Sequence, residues 1–120
     1  MKGCGSGHEY LAVTPEGDLY PCHQFTGMER FKLGNVNNGF DIDTSVSNMF
    51  IKRNIYTKPE CRKCWAKFFC SGGCAANDWQ FSNCLDKPYD IGCELERKRV
   101  ECALWIKAAE SDMDQADHEV

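Results

Sequence analysis

Cys61, Cys64, Cys70 and Cys74 form a C-x2-C-x5-C-x3-C run. That density is too high for a core strand, and the spacing is too regular for scattered buried thiols. Two thiols separated by two residues can face one metal centre when a tight turn brings both sulfurs to the same side. Ser71-Gly72-Gly73, between the third and fourth cysteines, lets the backbone pass close to a bulky inorganic group. The run reads as a metal-cluster loop, and the rest of the chain has to supply the remaining ligands.

The chain has 120 residues, one domain by length, and nine of them are cysteine. Without the cysteines the aliphatic supply is thin, so metal binding is expected to supplement burial in holding the fold. The net charge of −4 and the lack of a basic face argue against a nucleic-acid partner. No apolar run approaches the roughly 20 residues of a membrane helix. Met1-Lys2-Gly3-Cys4-Gly5-Ser6 carries no apolar signal-peptide core, and the cysteine count is odd. A disulfide-stapled secreted domain is therefore disfavoured, and metal ligation in a reducing cytoplasm is expected. A chain that starts three residues before a candidate ligand is expected to be part of a longer one.

The pattern predicts an α+β domain with an N-terminal β-hairpin, a cysteine-rich loop and a C-terminal α-helix. Glu9–Val13 and Asp18–Tyr20 read as strands, joined by a Thr14-Pro15-Glu16-Gly17 turn. Cys4 and Cys22 then fall at the same open end of the hairpin, converging on one metal. A further short strand or extended segment is expected over Phe31–Val36. An amphipathic helix follows over Asp41–Asn54, with Asp43 or Thr44 as N-cap. Ala75–Phe81 suits two helical turns, and Asn83–Gly92 reads as loop. Cys93–Glu110 is the strongest helix in the sequence, with Glu94 four residues before Lys98. The domain is expected over residues 1–110, followed by an acidic, flexible tail over 111–120.

Cys93 would open the last helix, where backbone N–H groups favour a thiolate. Cys102, nine residues on, lies half a turn round and shares a face with Leu95, Trp105, Ile106 and Ala109, so it reads as a small buried apolar residue. Cys84, in a loop ten residues past Cys74, is a candidate ligand or a bystander. Cys4, Cys22, Cys61, Cys64, Cys70, Cys74 and Cys93 remain as the metal-ligand set. Seven thiols cannot close two tetrahedral zinc sites without help, though His8 or His23 could complete a Cys3His site. An iron–sulfur cluster with one position left for a substrate thiol, a water or Cys84 suits the count. A zinc-binding interaction module is the competing reading.

The order C-x12-G-x4-C, then C-x2-C-x5-C-x3-C, then Cys93 resembles the seven-cysteine signature of the SPASM domain. That domain is the auxiliary-cluster module of radical S-adenosylmethionine enzymes that mature peptides and proteins. Cys4-Gly5-Ser6-Gly7-His8-Glu9-Tyr10 and Tyr20-Pro21-Cys22-His23-Gln24 further resemble the maturases of six-cysteines-in-forty-five peptides, which form thioethers.

The resemblance implies two 4Fe–4S clusters. Cys61, Cys64, Cys70 and Cys93 would hold an outer one, and Cys4, Cys22 and Cys74 an inner one. It implies a radical S-adenosylmethionine barrel and a cysteine-containing precursor peptide as partners. Many relatives place another cysteine between the first two, but this chain has none over residues 5–21. The inner cluster would then have a free position for a substrate thiolate. The C-x3-C-x2-C loop that binds S-adenosylmethionine is absent, since Cys70-x3-Cys74 is followed by Asn77. No catalytic residue is therefore expected in this chain, and the S-adenosylmethionine site would lie in an N-terminal domain. Zinc could replace the clusters in an isolated or air-exposed preparation.

Overall fold

The Thr14-Pro15-Glu16-Gly17 turn closes on itself. Gly17 N–H donates to Thr14 O at 2.9 Å, and Thr14 N–H donates to Asp18 O at 2.9 Å. Gly17 has φ +86°, and a Cβ there would lie 2.7 Å from Val36 Cγ2. Glycine is the residue that meets both demands. Gly17→Ala is accordingly expected to cost about 1–3 kcal/mol, read as a lower thermal midpoint. An unchanged midpoint would mean that the turn relaxes freely.

In a computed structural model, which describes residues 3–39 and 41–118 with side chains as far as Ser111, this turn joins β1 (Ala12–Val13) to β2 (Asp18–Tyr20). The strands are antiparallel, with Ala12 opposite Tyr20 and Val13 opposite Leu19. β3 (Gly34–Asn35) pairs antiparallel on the other side of β2, giving a sheet of order β1-β2-β3. The expected third strand is therefore present, and the first strand is shorter than the sequence suggests. Residues 5–10 instead form a tight turn in which Glu9 and Tyr10 N–H both donate to Gly5 O.

α1 (Thr44–Ile51) starts where the sequence places its cap. Asp43 accepts from Ser45 N–H at 2.8 Å and from the Ser45 hydroxyl at 2.6 Å. The Ser45 contacts hold its carboxyl below the usual range. The helix ends well before Asn54, because Asn54 Oδ1 accepts from Tyr56 and Thr57 N–H and builds a competing turn. α2 (Pro59–Lys63) and α3 (Lys67–Cys70) are short helices within the cysteine loop, and α4 is Ala75–Ser82.

Aromatic rings link the core across Leu19, Leu33 and Val46. Phe25 and Phe31 meet edge-to-face at 4.7 Å, Phe25 meets Phe50 of α1 at 5.2 Å, and Phe31 meets Trp79 of α4 at 4.8 Å. These rings join the segment after the hairpin to α1 and α4. Cys22 and Cys74 pack against the edge of this cluster.

α5 (Asp90–His118) corrects two expectations. It begins three residues before Cys93, so Gly92 is helical and Cys93 sits inside the first turn. Cys102 is exposed rather than buried. Residues 101–108 are all exposed, with Trp105 at 72%. Leu95, Leu104, Trp105 and Ile106 are all exposed, whereas Val100 between them is buried. α5 also continues through 111–118, where the sequence suggests a tail; residues 119 and 120 lie outside the described residues.

Candidate metal centre

The backbone brings Cys4 to Cys22. Gly7 N–H donates to Pro21 O at 2.9 Å, tying the turn after Cys4 to the residue before Cys22. The Ser47 hydroxyl donates to Gly7 O at 2.7 Å and anchors this turn on α1. Cys74, which caps the start of α4, joins from the far end of the cysteine loop, and Gln24 Nε2 donates to its sulfur at 3.8 Å. Burial pushes the Cys22 thiol up, and the nearby Cys74 and Cys4 push it further. Cys4 is held down despite burial, chiefly by hydrogen bonding to Ser6. Cys4, Cys22 and Cys74 thus lie near one another beside the open end of the hairpin.

The other four gather elsewhere. Cys61, on α2, and Cys64 stand on one turn, because Cys64 N–H donates to Cys61 O at 3.1 Å. Cys70 closes α3, and Cys93 comes from α5. All four line one cavity of about 440 Å3, with Gly72, Gly73 and Cys74 in its wall. Burial raises the Cys93 thiol, and Cys61, Cys70 and Cys64 raise it further. Burial likewise raises Cys61. Burial and, after it, crowding among the thiols oppose ionisation, so ionising them together needs a cation in their midst.

Between these groups the chain crosses in an unusual conformation. Ser71, Gly72 and Gly73 have φ of 59°, 99° and 74°, three left-handed residues in succession. Two of the three are glycine, where that conformation is accessible without a Cβ clash. The crossing is clamped from beneath by a buried triad that the sequence pattern does not announce. Lys58 and Arg53 both pair with Asp78 Oδ2. Lys58 Nζ also donates to Gly72 O at 2.9 Å, and Arg53 Nε donates to Leu85 O at 2.8 Å. Asp78 Oδ1 accepts from Tyr89 N–H at 3.0 Å, just ahead of α5. The only sequence hint is a carboxylate placed beside Ala75, Ala76 and Trp79 on a short helix.

The remaining candidates stand apart. Cys84 is exposed on the turn after α4 and does not line the cavity. His8 Nδ1 lies 3.2 Å from Ser6 O, and His23 Nδ1 lies 3.5 Å from the Tyr10 hydroxyl. All nine thiols are free, with no disulfide. Among the described residues, no three Cys, His, Asp or Glu side chains converge as ligands of a single ion. Five thiols round a cavity suit a larger sulfur-bridged centre, and soft thiolate donors are what such a centre requires.

The comparisons agree with this chemistry. The family model of SPASM, an iron–sulfur cluster-binding domain, matches residues 4–65. That span contains Cys4, Cys22, Cys61 and Cys64. An uncharacterized protein of Archaeoglobus fulgidus is 31% identical over 82% of this chain and 24% of its own length. A cysteine-type anaerobic sulfatase-maturating enzyme of Clostridium perfringens is 32% identical over 71% of this chain and 22% of its own length. The chain thus spans about a quarter of these relatives. No helix among the described residues is long and apolar enough to cross a membrane. On the family match and the gathered thiols together, this chain belongs to the SPASM family of iron–sulfur cluster-binding domains.

Proposed function

We propose that the chain is the auxiliary-cluster module of a radical S-adenosylmethionine maturase, working in the cytoplasm beside a catalytic barrel. The observation that carries this reading is the gathering of Cys61, Cys64, Cys70, Cys74 and Cys93 round one cavity, with Cys4 and Cys22 near Cys74, within a domain of the SPASM family. Cys61, Cys64, Cys70 and Cys93 would hold an outer 4Fe–4S cluster, and Cys4, Cys22 and Cys74 an inner one. Such clusters supply thiophilic coordination and electron transfer.

The chain's own residues do the positioning. The hairpin and Gln24 set the three-thiol group, and the Gly72-Gly73 crossing sets its distance from the other. With three protein thiols, the inner site leaves one position for an outside ligand, and we assign it to a cysteine of a precursor peptide. Thioether formation, as in the six-cysteines-in-forty-five maturases, is the reaction this suits. The sulfatase-maturating relative points to a protein or peptide substrate of the same broad kind.

Anaerobic reconstitution with iron and sulfide is expected to give a brown protein holding two clusters. Substrate peptide should then perturb one cluster's spectrum, and its Cys→Ala version should not. A colourless protein that retains zinc instead would overturn the cluster reading. Identical responses to both peptides would overturn thiol binding.

A further inference from the structure

We propose that Arg53, Lys58 and Asp78 form a positioning device shared by the two cluster sites, fixing the crossing between them and leaving one positive charge there. The inference rests on the two-cluster reading above. Geometry supplies the first half. Arg53 NH2 lies 3.4 Å from both Gly72 O and Gly73 O, and Lys58 Nζ donates to Gly72 O at 2.9 Å. Both cations thus hold the carbonyls of the segment that separates Cys70 from Cys74. Asp78 binds both cations and, through its second oxygen, the backbone of Tyr89. Tyr89 also stacks on Phe81 at 4.0 Å and leads directly into the helix that carries Cys93. One carboxylate therefore ties the crossing to the last ligand of the outer set.

Charge supplies the second half. The side chains of Lys58, Asp78 and Arg53 are only 1%, 2% and 10% exposed. Two cations against one carboxylate leave a surplus of one positive charge in a region of low dielectric. Buried charges are a costly way to brace a fold, and apolar residues of similar volume often do it as well. Their position gives them a further use. Gly72 and Gly73, whose carbonyls the two cations hold, line the cavity of Cys61, Cys64, Cys70 and Cys93, and Gly73 adjoins Cys74 of the three-thiol set. The triad therefore reaches both thiol groups. A positive charge so placed favours the reduced, more negative state of each cluster and raises its potential.

The test is a redox titration, followed by electron paramagnetic resonance, of the 120-residue chain reconstituted anaerobically. Lys58→Met removes the surplus charge and is expected to shift the cluster potentials negative. Asp78→Asn enlarges the surplus and is expected to shift them positive. Both variants break the same hydrogen-bond network, so a purely structural brace predicts like effects from both. Arg53→Gln, at the least buried position, should match Lys58→Met in sign and stands in if that variant loses its iron. Shifts of the same sign, no shifts, or loss of iron from all three variants would overturn the proposal. If the wild type itself takes up no iron and sulfide, the two-cluster reading fails and takes this inference with it.

Discussion

Asp78→Ala is expected to lower the stability of the chain by about 3–5 kcal/mol, the usual cost of removing one partner from a buried ion pair. The change leaves Lys58 and Arg53 with a missing counter-charge in a site where Lys58 has no exposed surface. It also orphans Tyr89 N–H, which has Asp78 Oδ1 as its acceptor at 3.0 Å. Urea unfolding of wild type and variant, prepared identically, measures the loss. The double variant Asp78→Ala with Lys58→Met should recover part of it, since a buried charge disappears together with its partner. A loss below about 1 kcal/mol would mean that water reaches the triad and screens it.

Cys93→Ala is expected to halve the bound iron and sulfide of the reconstituted chain, by removing the ligand that α5 brings to the outer set. Cys61, Cys64 and Cys70 all belong to one stretch, whereas Cys93 reaches their cavity from a separate helix. Its loss should therefore loosen α5 as well. Hydrogen exchange over the first turns of that helix should rise, where the Tyr89 contacts otherwise seat it. Cys84→Ala and Cys102→Ala should leave iron content and exchange unchanged, since both thiols are exposed and neither lines the cavity. Full iron content in Cys93→Ala, or half in Cys84→Ala, would redraw the ligand set. Because metal binding to such sites contributes directly to folding, the two measurements should move together.

Much of the site was legible in order along the chain, because its signals are local. The C-x2-C-x5-C-x3-C run, the Pro15–Gly17 turn and the Asp43 cap each depend on residues within a few positions, and each does what its chemistry demands. The hairpin set the approach of Cys4 to Cys22, but the contact is made by the turn over residues 5–10, whose Gly7 N–H donates to Pro21 O. The last helix was legible too, but its start was not. Tyr89 is anchored by Asp78, and that contact lets the helix begin at Asp90. The burial of Cys102 failed for a related reason. A periodic apolar face shows that a helix can be covered, not that this chain has anything to cover it with.

What the sequence determined unaided was the chemistry: a thiol-rich centre in a small α+β domain. What the tertiary structure decided was the arrangement. It brought Cys93, from a separate helix, to the cavity that Cys61, Cys64, Cys70 and Cys74 line. Beneath the crossing it gathered Arg53, Lys58 and Asp78. Those three stand five and twenty residues apart and obey no helical or strand period. Their association exists only because folding removes them from water together, where each cation needs the same carboxylate.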